Sequence, residues 1–577
     1  MQDAARTYQE WLSDPYFDKN TKAELLGIAE DEAEITDRFY RNLAFGTGGL
    51  RGILGAGTNR MNIYTVRKAT QGLANYILTQ EGWEGGVAIA YDSRIMSPEF
   101  AQEAALVLNA NGIGTYRFES LRPTPELSFA IRKLHCIAGV VITASHNPRE
   151  YNGYKVYWKD GVQIVPPHDR NIMDEVAKVA GFDQVKMISL EEAEQSGLYH
   201  TIGQEIDDAY ISEIMALAIN KDMIRKYASD LKVAYSPLHG TGNIPVRRIL
   251  SELGFTQVAV EPRQAIPDGT FPTAPFPNPE DKRAWELPLK LAKEIDADIV
   301  LATDPDADRL GVYAKDAKTG EYVGFTGNTL GTLIAAYILR ERTKNGTMPE
   351  KPALVTTIVS TDMVKPLAKE FHAALVETLT GFKYIGEKIG EFEQTGEYDY
   401  VFGLEESYGC LPGTHARDKD ACAAVMMLCE IAAFCRSRGR TLVDALDDLY
   451  RMYGYYREDQ VSVDMKGMEG EEKIRNLMGS LRGHSVDEIG GFKVLALRDY
   501  GSGVRRSYAD LSETPTGLPK SNVLYYELDE GSWCAARPSG TEPKIKFYFG
   551  VRGESAADAE DRAERLRKGL LELAGLA

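Results

Sequence analysis

The sequence predicts an α/β protein of several domains: three related α/β units followed by a C-terminal α+β domain. Two observations carry that prediction. Apolar runs of strand length alternate three times over with helix-forming stretches, each run breaking into a polar loop, which argues for mostly parallel sheets covered by helices. After about Arg457 the alternation gives way to strand-like segments in close succession. Size agrees, because a chain of 577 residues is too long for one core and should divide into three or four domains.

Residues 4–43 are helix-forming and rich in Glu, Lys and Ala, an N-terminal extension that packs onto the domain after it. Phe45-Gly46-Thr47-Gly48-Gly49-Leu50-Arg51-Gly52 then places four glycines within seven residues. It reads as a flexible turn that permits close backbone approach, with Arg51 suited to an anion. A capped helix follows, then the strand Val87-Ala88-Ile89-Ala90-Tyr91 ending in Asp92-Ser93-Arg94, and a helix over 98–110. The run Val140-Val141-Ile142 opens into Thr143-Ala144-Ser145-His146-Asn147-Pro148. Ser145 is thereby presented at the C-terminal end of a buried strand, where open α/β sheets place their ligands, although a serine there can equally be a turn or a helix cap. This unit ends near Ser212.

The pattern restarts twice. Lys232-Val233-Ala234-Tyr235-Ser236 leads into Pro237-Leu238-His239-Gly240-Thr241-Gly242, and a strand over 297–303 runs into Asp304-Pro305-Asp306-Ala307-Asp308-Arg309. Then come Ala353-Leu354-Val355-Thr356-Thr357, the loop Thr380-Gly381-Phe382-Lys383-Tyr384-Ile385-Gly386, and a strand over 398–403 leading to Leu404-Glu405-Glu406-Ser407. Three units of similar size read as diverged repeats. In the last domain, strands over 459–465, 491–498 and 522–528 precede the loop Arg537-Pro538-Ser539-Gly540-Thr541-Glu542-Pro543, and an amphipathic helix over 556–574 closes the chain.

Composition narrows the class. With 44% hydrophobic and 26% charged residues the chain is globular. A net charge of -19 disfavours nucleic-acid and anionic-membrane partners, while a local basic pocket can still hold a small anion. The six cysteines form no CxxC pair and read as reduced structural thiols. The N-terminus lacks a basic-then-apolar leader pattern, and no apolar run reaches membrane-spanning length. The expectation is a soluble, cytoplasmic protein.

Asp304, Asp306 and Asp308 set three carboxylates at alternate positions of a tight loop, a spacing that converges hard oxygen ligands on a cation. An EF-hand would need Gly and Glu at the sixth and twelfth positions from Asp304, where this chain has Arg309 and Lys315. Magnesium shared with a phosphate oxygen fits better, with Arg309 beside the same phosphate. Arg537, Ser539, Gly540 and Thr541 combine a guanidinium, hydroxyls and a glycine-permitted nest suited to a phosphate dianion. Glu405 and Ser407 suit sugar hydroxyls or, equally, a helix N-terminus.

The four motifs Thr143-Ala144-Ser145-His146-Asn147-Pro148, Asp304-Pro305-Asp306-Ala307-Asp308-Arg309, Glu405-Glu406-Ser407 and Arg537-Pro538-Ser539-Gly540-Thr541, in this order, resemble the α-D-phosphohexomutase superfamily. The Gly381 to Gly386 loop and the long N-terminal lead resemble its phosphoglucomutase and phosphopentomutase branch. Leu404 departs from the glycine that many members carry before the glutamate. The resemblance implies four domains around a central cleft, each giving one loop: residues 1–212 with the phosphoserine loop and helical extension, 213–325 with the metal loop, 326–456 with the sugar loop, and 457–577 with the phosphate loop.

It also implies roles. Ser145 would carry the phosphoryl group, and Mg²⁺ would be held by Asp304, Asp306 and Asp308 with an oxygen on phosphorylated Ser145. Lys155, in Tyr151-Asn152-Gly153-Tyr154-Lys155, would be the general acid/base or else a fixed electrostatic anchor, with Arg51, His146 and Arg309 around the transferring group. Glu405 and Ser407 would grip sugar hydroxyls. Arg537, Ser539, Gly540 and Thr541 would hold the idle phosphate. Thr380, Gly381, Lys383 and Lys419 would bind substrate, and His415 and Arg417 also look like substrate-facing residues of that branch. The implied reaction interconverts glucose 1-phosphate and glucose 6-phosphate, with glucose 1,6-bisphosphate as intermediate and activator; mannose or pentose phosphates, or bisphosphate synthesis, are the alternatives. The partner is a small sugar phosphate, and the chain is expected as a monomer or weak homodimer.

Overall fold

The computed structural model describes residues 2–576 apart from 47, 466, 484 and 540–543. The chain forms two compact units, one of Met1–Lys315, Gly386–Glu391 and Gly409–Arg438, the other of Asp316–Ile385, Phe392–Tyr408 and Gly439–Ala577.

The first unit opens with the helices Gln2–Ser13, Lys19–Leu26 and Glu32–Phe39. Their apolar faces meet in an aromatic cluster in which Trp11 stacks on Phe17 at 4.1 Å. Asp18 caps the second helix and accepts from the Tyr64 hydroxyl at 2.8 Å, tying the extension to the helix Ile63–Ile77. That helix starts at Asn62, which closes a capping box with Thr65 and so satisfies the first free N–H groups.

Six strands follow in the spatial order Gly49–Ile53, Tyr151–Trp158, Ala138–Ile142, Val87–Tyr91, Thr115–Phe118, Tyr199–Ile202. The two pairs involving Tyr151–Trp158 are antiparallel and the rest parallel, so the sheet is mixed. Val87–Tyr91 and Ala138–Ile142 are buried at every position, as strands covered on both faces must be.

The glycine-rich stretch is not the flexible turn that its composition predicts. From Gly49 onward it is an edge strand, with Gly49 opposite Lys155 and Arg51 opposite Gly153. Gly49 sits at φ +134°, and a Cβ there would lie 1.8 Å from the Tyr154 carbonyl oxygen. Glycine is required by close approach within a rigid ladder rather than by mobility, and Arg51 is thereby fixed on the strand beside Lys155.

In the same unit a second mixed sheet carries Leu310–Lys315 antiparallel to Ile299–Thr303, then Lys232–Ser236 and Gln257–Val260 in parallel. Helix Ala421–Arg436, capped by Asp420, is buried on nearly every side and fills this part of the core.

The second unit has its own parallel strands, Ala374–Thr378, Pro352–Thr357 and Asp399–Glu405, with Thr357 level with Thr378 and Thr356 level with Leu404. Two expectations are corrected here. A helix begins at Phe382, directly after Gly381 at φ +119°, so Lys383 lies in a first helical turn rather than in an open loop. Glu405 is the last residue of its strand and is followed by a turn, so it is not in a helix N-terminus.

The C-terminal region is antiparallel throughout, in the order Tyr455–Asp464, Lys544–Gly553, Trp533–Pro538, Leu524–Leu528, Phe492–Asp499, Val504–Ser507, Glu513–Pro515, with Glu488–Ile489 paired to Phe492–Asp499. Helix Ala556–Leu573 covers one face through Ala563, Leu566 and Leu570. The chain therefore has three α/β domains and a C-terminal antiparallel-sheet domain.

Candidate active site

Ser145 follows the strand Ala138–Ile142 in the left-handed region, at φ +53°. A serine stays there only when its surroundings hold it. Thr143 Oγ1 accepts from the Ser145 N–H at 2.8 Å. The main support is Arg94, buried with its side chain wholly out of solvent. Its guanidinium donates to the carbonyls of Ser145 (2.6 Å), Pro148 (2.9 Å) and Tyr151 (3.0 Å), and to that of Asn147. One planar fork of donors thus gathers four carbonyls of the loop. Asp92, equally buried, pairs with Arg94 at 3.3 Å. Burial pushes the Asp92 carboxyl up and the Arg94 guanidinium down, and each is opposed by the charge of the other. Arg94→Met strands Asp92 and is expected to destabilise the protein by about 3–5 kcal/mol, seen as a lower thermal midpoint, with activity falling in the fraction that still folds.

The Ser145 hydroxyl faces the aspartate loop of the second sheet. Its Oγ donates to Asp304 Oδ2 at 3.0 Å and lies 3.1 Å from His146 Nδ1. Thr124 clamps the same loop, its N–H donating to the Asp306 carbonyl at 3.0 Å and its hydroxyl to Asp306 Oδ2 at 3.1 Å. Asp304 Oδ1 accepts from the N–H groups of Asp308 and Arg309, which curls the loop around it. Gly240 allows the supporting turn to approach, since a Cβ there would meet the Pro305 backbone at 2.4 Å.

Asp304, Asp306 and Asp308 are buried, and one oxygen from each lies within 4.8 Å of the others. Cations ring them. Lys155 Nζ is 2.9 Å from Asp306 Oδ2 and 3.8 Å from Asp308 Oδ2, and Lys419 Nζ is 3.0 Å from Asp308 Oδ2 and 3.1 Å from Asp418. Arg309 pairs with Glu280 at 2.6 Å and stands 3.8 Å from Asp308. Arg51 reaches Asn147 of the serine loop at 3.5 Å. Burial, then the charges of Asp306 and Asp308, push the Asp304 carboxyl well up. Burial opposes ionisation of Asp306 too, but Lys155, the hydrogen bond from Asp304 and Lys419 outweigh it and hold that carboxyl below the usual range.

Two buried carboxylate oxygens, Asp306 Oδ1 and Asp308 Oδ1, have no hydrogen-bond partner among the described residues. Orphaned acceptors at this depth are costly. Three hard oxygen donors with unused lone pairs fit a hard divalent metal ion.

In the second unit, Glu405, Thr357 and the Thr378 to Gly381 segment leave the parallel sheet at one edge. Thr357 Oγ1 donates to Glu406 at 3.0 Å, and Ser407 follows in the turn. Thr380 Oγ1 is buried without a hydrogen-bond partner among the described residues, while the Lys383 ammonium lies 5.3 Å from the centre of the Tyr384 ring. Arg537, next to last in its strand, donates to the Tyr548 hydroxyl at 3.4 Å, and the Ser539 N–H donates to the Lys544 carbonyl at 2.8 Å. Tyr548 packs in a cluster with Ile358 and Leu379, which sets Arg537 close to the same edge. Gly540 and Thr541 lie outside the described residues.

The structure brings Ser145, His146, Lys155, Arg51, Arg309, Lys419 and the three aspartates together in one unit. His415 and Arg417 are different: His415 Nε2 meets Asp420 at 2.7 Å, and the Arg417 guanidinium donates to the carbonyls of Thr414 and Ala416. Both are buried and shape their own loop. Arg94, Thr124 and Glu280 join the site with no sequence pattern to single them out.

A serine held in a strained loop against a carboxylate cluster and several cations is equipped for phosphoryl transfer rather than hydrolysis by a base-activated nucleophile. Comparison with known proteins gives the class a family. Three domain descriptions match in order: "Phosphoglucomutase/phosphomannomutase, alpha/beta/alpha domain I" over 42–181, domain II over 208–320 and domain III over 326–453. The phosphoglucomutase of Staphylococcus epidermidis is 38% identical over 534 residues, 90% of this chain and 95% of that protein. That of Staphylococcus aureus is 35% identical over 93% and 94%. Among solved structures, the open form of parafusin, a phosphoglucomutase from Paramecium, superposes with a TM-score of 0.67 at 18% identity over 93% of this chain and 95% of that one. A phosphoglucomutase/phosphomannomutase family protein from Burkholderia thailandensis gives 0.63 at 19% over 92% and 97%. The chain belongs to the phosphoglucomutase/phosphomannomutase family.

Proposed function

We propose that the chain is a cytoplasmic phosphosugar mutase interconverting glucose 1-phosphate and glucose 6-phosphate, working as a monomer or weak homodimer. The observation that carries this reading is the Ser145 hydroxyl 3.0 Å from Asp304, inside a cluster of carboxylates and cations. The four loops are assigned to domains 1–212, 213–325, 326–456 and 457–577.

In the working enzyme Ser145 carries a phosphoryl group. The O6 hydroxyl of glucose 1-phosphate attacks that phosphorus, the bond to Ser145 Oγ breaks, and the products are glucose 1,6-bisphosphate and free Ser145. Lys155, in its neutral form for this step, takes the hydroxyl proton and passes it to the departing Ser145 Oγ. After the bisphosphate turns over, Ser145 Oγ attacks the phosphorus on O1, the bond to O1 breaks, Lys155 carries the Ser145 hydroxyl proton to the departing sugar oxygen, and glucose 6-phosphate leaves. Arg51, His146 and Arg309 neutralise the equatorial oxygens in flight, so that little charge must be reorganised at the moment of transfer. Asp304, Asp306 and Asp308, with an oxygen of phosphorylated Ser145, would hold Mg²⁺, which would supply charge neutralisation to the transferring group. Glu405 and Ser407 hold sugar hydroxyls. Arg537, Ser539, Gly540 and Thr541 grip the phosphate that is not reacting, and Thr380, Gly381, Lys383 and Lys419 complete the substrate contacts.

A coupled assay across glucose, mannose, glucosamine, ribose and deoxyribose phosphates, with and without added glucose 1,6-bisphosphate, tests the reading. Glucose 1-phosphate is expected to give the highest kcat/KM, with activation by the bisphosphate. Stoichiometric bisphosphate formation from an acyl phosphate, without isomerisation of glucose 1-phosphate, would overturn it.

A further inference from the structure

Phosphoryl transfer uses one face of the edge strand Gly49–Ile53; the other face lies over a cavity with no part in it. Arg51 reaches the serine loop, whereas Leu50, the residue before it and so on the opposite face of the strand, lines a cavity of about 830 Å³ between the N-terminal helices and the first sheet. That volume is far beyond a packing defect and within the range of small-molecule sites. Its walls are largely apolar and aromatic, with Trp11, Phe17, Phe182, Leu43 and Met173 among them. The rings brace one another, Trp11 standing 4.1 Å from Phe17 and 5.8 Å from Phe182 between centres, so the walls are built rather than left over.

One cation opens onto this space. Lys68, on the helix Ile63–Ile77, is half-buried, and no acceptor or carboxylate partners its ammonium among the described residues. Burial alone acts on it, lowering its pKa with no acid to offset the effect. The cavity's own acids are placed elsewhere: Glu10 stands 3.5 Å from Arg6, and Asp14 accepts from the Tyr16 N–H at 2.8 Å. These acids, with Asp183, also disfavour a multiply charged anion such as a sugar phosphate.

We propose that this cavity is a binding site for a small amphipathic anion, with one acidic head held by Lys68 and an apolar body packed against Trp11, Phe17 and Phe182. An ammonium and aromatic walls lining one cavity match that chemistry. The site is separate from the sugar-phosphate reading and stands or falls without it.

The full-length protein titrated with anilinonaphthalene sulfonate, an aromatic monoanion, tests this, with neutral N-phenylnaphthylamine as the uncharged counterpart. One saturable site is expected for the anionic dye. Lys68→Gln weakens it about tenfold, Lys68→Arg retains it, and neither change moves the neutral dye. Phe182→Ala, which removes one wall, weakens both dyes. Saturating glucose 1-phosphate leaves the anionic dye in place. Equal affinity of that dye in the parent and Lys68→Gln, or its displacement by glucose 1-phosphate, would overturn the proposal.

Discussion

Ser145→Ala is expected to lower mutase turnover by at least about 10⁴-fold, because the oxygen that receives and returns the phosphoryl group is gone and no neighbour can replace it. His146 Nδ1, 3.1 Å from the hydroxyl, is placed to orient it, not to substitute for it. Sugar-phosphate affinity should survive, since the groups assigned to grip the sugar and its idle phosphate are untouched. The measurement pairs the coupled assay with calorimetric titration of glucose 1-phosphate, and mass spectrometry should find the phosphoryl group on Ser145 in the parent and nowhere in the variant. Full turnover in the alanine variant would refute the phosphoserine route.

Asp306→Asn removes a carboxylate that Lys155 and Thr124 both hold, at 2.9 and 3.1 Å. It is expected to cut kcat by about 10²–10³-fold, the scale seen when one fixed electrostatic group is lost from a transition-state site. The Mg²⁺ concentration for half-maximal rate should rise as well. Chelation should silence the parent enzyme and added Mg²⁺ restore it. A rate indifferent to chelator would contradict the metal assignment. Fold is checked by the thermal midpoint, which matters here because the carboxylate is buried.

Whether a feature is legible in the chain depends on how it is encoded. Ser145 and the aspartate loop are local: an apolar strand stops, and the chemistry-bearing residues come next in line. The strand at Gly49 is not local, because its glycine answers to the Tyr154 carbonyl more than a hundred positions away, and composition alone reports only freedom. Arg94 is hidden for a similar reason. Its partners are main-chain carbonyls, which every residue has, so no side-chain pattern at 145–151 announces them. His415 and Arg417 are basic and in a loop, which suits an anion; His415 Nε2 meets Asp420 and one Arg417 nitrogen donates to nearby carbonyls, contacts that the sequence does not announce, while His415 Nδ1 is buried without a hydrogen-bond partner among the described residues. Lys419, two positions on, has the same sequence character and does reach the aspartates.

Thr124 and Ser145 lie beside the first sheet and the aspartates follow a strand of the second, so the bonds Thr124 to Asp306 and Ser145 to Asp304 rivet the two sheets of one compact unit together at the candidate site. Parts riveted together share one frame of reference. On the proposed cycle the Ser145 hydroxyl stops donating to Asp304 whenever it bears the phosphoryl group, while the two Thr124 bonds to Asp306 persist and keep the aspartate loop in register, which leaves the sugar as the component that must travel. On the proposed mechanism a stationary bench suits a substrate read from both ends: one set of charges would serve the forward and reverse transfers alike, and direction would be decided by which oxygen the turning intermediate presents.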